Sequence, residues 1–283
     1  MNTCPNCRSE YDRSVEVCSA CGEHVGYPNV RAAADPEETE ALVARYERGV
    51  EGAMLRGPGA AIKAFQEAVS RGKAVVNVSV FVLREFSTDK KTLYTNYQLA
   101  VSAQTRKAAE EEMDRKRRAV DAMLFGVYAE KLRFAALSMD GRGLVSYGAY
   151  TIILKDVSVS KRSSLLEENS FAFVEHHRLK PGDPLPLGFR AVWSNKEKLA
   201  VAKLADFVTS DNKLDQFPSL LLYSDGDRKN DRFIEVQIFG TFNSDAIEAV
   251  HGRSVGKNTA EIVVAAVAKE HLVNSGKSWV EDD

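Results

Sequence analysis

The stretch Arg232-Phe233-Ile234-Glu235-Val236-Gln237-Ile238-Phe239-Gly240 decides the fold class of this chain. Successive side chains on a strand point to opposite faces, and from Ile234 to Ile238 apolar and polar positions alternate. Ile234, Val236 and Ile238 share one face, which must be the core face. Phe233, Glu235, Gln237 and Phe239 share the other. A carboxylate and an amide between two phenylalanines suit a cleft lined by aromatic rings; the plain alternative is an exposed sheet face carrying polar residues.

Around this strand the rest of the chain sorts into strands and helices. The polar turn 224–231 makes residues 219–223 and 232–239 a hairpin. Residues 75–86 (VVNVSVFVLREF) are β-branched and alternating, so they read as a strand. Residues 143–155 (GLVSYGAYTIILK) read as one or two strands around Gly148, with further strands at 171–176 and 188–193. Asp35-Pro36-Glu37-Glu38 opens a helix with an N-cap, a proline at the first position and acids in the first turn. That helix breaks at Gly57-Pro58-Gly59, and a second follows over 60–70. Residues 98–137 form one long helix or two, with Met113, Val120, Leu124, Val127 and Leu132 as the inward stripe. Helices are also expected over 196–208 after the cap Asn195, over 244–251 and over 257–274. Segregated strands and helices predict an α+β fold with a mostly antiparallel sheet. The organisation expected is a zinc ribbon at 1–26, a helical hairpin linker at 35–72 and an α+β domain at 73–283.

The ribbon rests on Cys4-Pro5-Asn6-Cys7, ten intervening residues and Cys18-Ser19-Ala20-Cys21-Gly22. Each C-x-x-C turn aims two thiolates at one point, and two such turns complete the tetrahedral sulfur site that zinc prefers. Gly22 stands where a left-handed conformation is commonly needed. A catalytic zinc would need His24 to replace a cysteine, and four thiolates leave no open position. The expectation is one structural zinc per chain, contributing the folding energy of a module too small to fold alone.

Composition narrows the function classes. With 38 Lys and Arg against 40 Asp and Glu, no global charge argues for nucleic acid or a membrane surface. No apolar run has the length of a membrane span, and the start of the chain resembles no secretion signal, so a cytosolic location is expected. The basic run Arg115-Lys116-Arg117-Arg118, directly after Glu110-Glu111-Glu112, reads as a solvated, salt-bridged helix face, with nucleic-acid or phosphate contact as the sharper alternative. Phosphate-binding loops, dinucleotide fingerprints, nucleophile elbows and zinc-protease helices are all absent from the sequence. No cluster of carboxylates at ligand spacing suggests a metal-dependent nuclease, and His176-His177 has no partner pair of ligands. Asp225-Gly226-Asp227 reads as a hairpin turn rather than a calcium loop, and Trp193 and Trp279 as packing residues.

Residues 234–250 (IEVQIFGTFNSDAIEAV) resemble the closing part of bacterial toxin-type ADP-ribosyltransferase domains, in which the strand bearing the catalytic glutamate leads through a loop into a short helix. Residues 147–171 (YGAYTIILKDVSVSKRSSLLEENSF) are similar to the central strand and following loop of several such domains. The resemblance implies NAD as co-substrate and Glu235 as the carboxylate that stabilises the oxocarbenium-like charge as nicotinamide leaves. It implies Arg162 as the anchor of an NAD phosphate, Ser163 and Ser170 as supports of the cofactor or the glutamate, and Tyr147 or Tyr150 as the ring stacked on nicotinamide. The order Glu235 then Gln237 departs from family members that place the catalytic glutamate second. Either Glu235 alone does the work or the domain is a non-catalytic relative. The function expected is a cytosolic ADP-ribosyltransferase, a toxin or phage-defence effector, acting on a macromolecular acceptor, with the ribbon docking a protein or nucleic acid. The competing expectation is a zinc-ribbon adaptor without catalysis.

Overall fold

The computed structural model describes residues 2–95, 111–252 and 259–281. Strands β1 (Asn2–Thr3) and β2 (Glu10–Tyr11) pair as a small antiparallel ladder beside the cysteines. The remaining strands are β3 (Lys73–Val78), β4 (Leu132–Ser138), β5 (Tyr150–Leu154), β6 (Ser163–Leu166), β7 (Arg190–Val192), β8 (Glu235–Phe239), β9 (Ile247–Gly252) and β10 (Ser278–Glu281). They form one eight-stranded sheet in the order β10-β9-β5-β3-β4-β8-β6-β7. All its pairs are antiparallel except β9 with β10, so the sheet is mixed and the fold is α+β.

Strand β8 lies between β4 and β6, with Ala136 and Leu166 directly opposite Glu235, and Phe134 and Ser164 opposite Gln237. Directly opposed residues share a face, so the alternation in the sequence becomes two faces of the sheet. Ile234, Val236 and Ile238 lie in the principal core with Ala135, Leu137 and Leu165, as their period requires. Helices Pro36–Arg56, Gly59–Ser70, Val80–Thr88, Lys196–Leu204 and Thr259–Asn274 contribute buried apolar residues to that core. The opposite face carries two smaller apolar clusters, one around Val75, Ala136, Ile153 and Phe233, the other around Leu132, Leu166, Phe173 and Phe239. Glu235 and Gln237 lie between them, and both are buried. The two phenylalanines flanking the polar pair are thus cluster residues and not the walls of an open cleft.

Several expected elements differ from those observed. The strand expected over 75–86 ends at Val78: Ser79 accepts from the Val82 N–H, and Val80, Leu83 and Phe86 bury one face of a helix, Val80–Thr88. Capping and three-residue spacing outweigh the β-branched composition. Of the long helix expected over 98–137, the described part is a helix at Glu111–Phe125, followed by a 3₁₀ turn, Gly126–Lys131, and strand β4; residues 98–110 lie outside the described residues. Val127 is exposed, so it does not continue the inward stripe. Only Tyr150–Leu154 of 143–155 is a strand. Residues 171–176 belong to a helix, Ser170–His176, started by Asn169, whose side chain accepts from the Phe171 N–H at 2.9 Å. Residues 219–223 overlap the helix Phe217–Leu221, and the hairpin shrinks to one bridge between Tyr223 and Arg232. The helix expected over 244–251 is a 3₁₀ turn followed by strand β9, whose edge is completed by the unforeseen β10. Asn195 makes no capping bond, whereas Asp35 caps through the Glu37 N–H at 3.2 Å.

Candidate functional site

Glu235 is held on several sides. Its carboxylate accepts hydrogen bonds from the Ser170 hydroxyl, from the Ser170 N–H at 3.3 Å and from the Gln237 amide at 3.3 Å. The guanidinium of Arg117, on the Glu111–Phe125 helix, lies 3.6 Å from Oε2. Arg117 is fixed in turn by Asp121 one turn on, at 3.1 Å, and stands over the rings of Phe134 and Phe171, 4.5 and 5.5 Å from their centroids. Burial works against the charged guanidinium, but Asp121 and then Glu235 outweigh it and raise its pKa, so Arg117 is a cation at any ordinary pH. A buried carboxylate without such partners would cost several kcal/mol, so every group in this set depends on the others (about 3–5 kcal/mol for breaking a buried pair).

The network continues beneath the sheet. Ser164 donates to the Gln237 side-chain oxygen at 3.0 Å, and Asn29 donates to the Ser164 hydroxyl at 3.1 Å and to the Gln237 carbonyl at 2.8 Å. Tyr147 stands at its outer side, partly exposed, with Arg228 over its ring at 4.6 Å. Burial raises the pKa of the Tyr147 hydroxyl, Arg117 opposes that rise and Glu235 adds to it. The loop bearing Tyr147 is organised by Asn77, which accepts from the Leu144 N–H at 2.7 Å and donates to the Gly148 carbonyl at 3.0 Å. Gly148 itself is required by proximity: a Cβ there would sit 2.3 Å from the Val78 carbonyl carbon.

Of the candidate residues, Glu235, Gln237 and Ser170 come together in direct contact, and Tyr147 contacts none of the three. Arg162 does not join them. Its guanidinium donates to the carbonyls of Ser158, Phe239 and Thr241 at 2.9, 2.6 and 2.8 Å. The Ser163 side chain lies on the other sheet face, donating to the Val159 carbonyl at 2.7 Å. Tyr150 is buried in the principal core against Trp279. Sequence reasoning missed Ser164, Asn29, Asp121 and the inward aim of Arg117. Arg117, Val120, Asp121 and Leu124 do recur at helical spacing, and that stripe was the available signal. Asn29 bonds a residue 208 positions away and leaves no local trace.

At the N-terminus the four cysteine sulfurs lie within 4.8 Å of one another, with Cys4–Cys21 and Cys7–Cys18 separations of 3.7 Å. A tetrahedral zinc with bonds near 2.3 Å has sulfur–sulfur edges of about 3.8 Å, so the four thiols fit one ion. Each knuckle turns back on its first cysteine: the Arg8 N–H donates to the Cys4 carbonyl and the Gly22 N–H to the Cys18 carbonyl. Both turning residues are left-handed, Gly22 at φ 74° and Arg8 at φ 63°. His24 packs on Tyr27 and its ring nitrogen accepts from the Gly26 N–H, outside the sulfur cluster. Among the described residues this is the one group of three or more metal-ligating side chains, and no helix is long and apolar enough to cross a membrane.

The chain matches no protein-family model and no curated protein.

Proposed function

We propose that this is a zinc-ribbon protein whose β8 face carries an NAD-dependent ADP-ribosyltransferase activity, with Glu235 as the catalytic carboxylate. The observation that supports it is a buried carboxylate, oriented by two donors on Ser170 and one on Gln237, beside a cation that itself lies over an aromatic ring. In such a transfer the ribose–nicotinamide bond breaks, its electron pair leaves with nicotinamide and cancels the pyridinium charge, and positive charge develops on the ribose. An acceptor nucleophile then bonds the anomeric carbon and loses its proton. The tasks of Glu235 are to accept a hydrogen bond from a ribose hydroxyl and to stabilise that developing charge from a site shielded from water. Ser170 and Gln237 hold the carboxylate in one orientation. Arg162, with its donors turned to backbone carbonyls, is assigned no phosphate here. The ribbon is the docking element for a macromolecular acceptor, protein or nucleic acid, in a cytoplasmic toxin or phage-defence setting.

One observation favours the competing reading, a non-catalytic adaptor: Arg117 already fills the place beside Glu235. The two are separated by incubating the chain with labelled NAD and cell extract beside Glu235→Gln, which keeps the shape of the side chain and removes its charge. Transfer of label and release of nicotinamide are expected to fall by about 10²–10³-fold in the variant, the usual effect of removing one transition-state stabiliser. If neither product forms with the wild type or with the uncovered variant described below, the transferase reading is rejected.

A further inference from the structure

The cation beside Glu235 belongs to the chain itself. Over residues 115–119, Arg117 is the one side chain turned inward, since Arg115, Lys116, Arg118 and Ala119 are exposed. The following turn is anchored differently, by Leu124 and Phe125 buried in the apolar cluster around Phe173. The Glu111–Phe125 helix is therefore fastened at its C-terminal end by apolar packing, and over 115–119 by a guanidinium placed against a carboxylate. Guanidinium is a planar, delocalised cation that lies well on aromatic faces. The nicotinamide ring of NAD is also a planar cation, and it loses its charge as it leaves. The seat that suits one suits the other: Glu235 for charge, Phe134 and Phe171 for the plane.

We propose that Arg117 is a built-in occupant of a planar-cation seat at Glu235, and that the Glu111–Phe125 helix is an intramolecular plug displaced when a pyridinium ligand enters. This deepens the transferase reading and rests on it for the identity of the natural ligand. The arrangement has a thermodynamic consequence. A ligand that binds only the uncovered form has its affinity reduced by the fraction uncovered, so removing the plug from a site open 1–10% of the time strengthens binding by roughly 10–100-fold.

The test uses the full chain and N-methylnicotinamide methylated on the ring nitrogen (the 1-methylnicotinamide cation), a small planar pyridinium that cannot undergo transfer. Arg117→Met keeps an unbranched apolar stem and removes the planar cation. Millimolar N-methylnicotinamide is expected to raise the Tm of this variant by roughly 2–4 °C and to leave the wild type and the Arg117→Met, Glu235→Gln double variant unchanged. Nicotinamide release from NAD is expected to rise about ten-fold or more in Arg117→Met over the wild type. A folded Arg117→Met chain that gains no stability from the pyridinium overturns the plug. So does an active wild type whose activity disappears in Arg117→Met, because Arg117 then belongs to the working site; the transferase reading survives that result. A pyridinium effect with no NAD cleavage by any variant has the opposite meaning: the seat stands and the transferase reading falls. If Arg117→Met does not fold, amide exchange on the wild type decides. Tens of millimolar N-methylnicotinamide should speed exchange over 115–121, and unchanged exchange overturns the proposal.

Discussion

Replacing Cys4 with serine, or stripping metal from the wild type with a strong chelator, is expected to unfold residues 2–25 and leave the eight-stranded sheet folded. The region's own apolar core consists of Cys4, Tyr11, Cys18 and Val25, with Val15 packed against them, and its ladder pairs two strands of two residues. That burial does not offset the conformational entropy of some two dozen residues, at about 1–2 kcal/mol each for the backbone alone. A tetrathiolate zinc supplies the difference, with apparent binding energies of about 10–16 kcal/mol in comparable small modules. The joint to the rest of the chain is the helix Pro28–Ala33, which works in both directions. Arg31 donates to the carbonyls of Arg13 and Val15 at 2.8 and 2.7 Å and to that of Val25 at 2.9 Å, while Asn29 is sunk into the sheet beside Gln237. Loss of the ion should thus release Arg31 and leave Asn29 in place. Elemental analysis should find about one zinc per wild-type chain and none in Cys4→Ser, and amide exchange should quicken over 2–25 alone. A wild-type chain purified under reducing conditions without zinc, yet protected over 2–25, rejects the metal assignment.

The second large effect concerns Glu38, whose side chain is fully buried. One oxygen accepts from the Gly188 and Arg190 N–H groups, both at 2.9 Å, and the other from the Arg190 guanidinium at 2.7 and 3.2 Å. The residue ties the Pro36–Arg56 helix to strand β7 at the edge of the sheet. Gly188 enables the approach: it is left-handed at φ 85°, and a Cβ there would lie 2.8 Å from the Ala41 carbonyl carbon. Glu38→Ala leaves a partly buried guanidinium and two N–H groups without their acceptor, a loss of about 3–5 kcal/mol. For a chain of this size that corresponds to a fall in Tm of roughly 6–20 °C. Glu38→Gln keeps an acceptor for the two N–H groups and should recover part of the loss. Thermal unfolding of both variants measures it; a fall below 2 °C in Glu38→Ala would mean that the pair adds nothing to stability.

Glu38 also illustrates which features the sequence makes legible. Asp35-Pro36-Glu37-Glu38 signals a helix start because capping and dipole effects act over a single turn. The same residues give no hint that Glu38 turns inward to meet Arg190, since that pairing exists only when two distant segments have folded. The errors in secondary structure share this origin. Residues 80–86 and 171–176 are rich in valine and phenylalanine, which lean toward strand in isolation. Ser79 and Asn169 cap them into helices, and the buried Leu83 and Phe173 hold them there. Residues 247–250 show an I-x-x-V spacing that suits a helix, yet pair with β5 across a bulge at Ile153/Leu154.

Two things were determined by sequence alone. The spacing of Cys4, Cys7, Cys18 and Cys21 specifies one four-sulfur cluster, because C-x-x-C turns are local and the thiols have no competing use. The alternation of residues 233–239 specifies two opposite faces of a strand, because the period of the backbone is two whatever surrounds it. Tertiary structure decided what each face would meet. It buried Glu235 instead of opening it to a cleft, withheld Arg162 from it, and brought Arg117 to it and Asn29 to the neighbouring Gln237 from positions over a hundred residues away. Such contacts are selected by the sheet order and by the need of a buried carboxylate for partners, and neither is written in any local stretch of the chain.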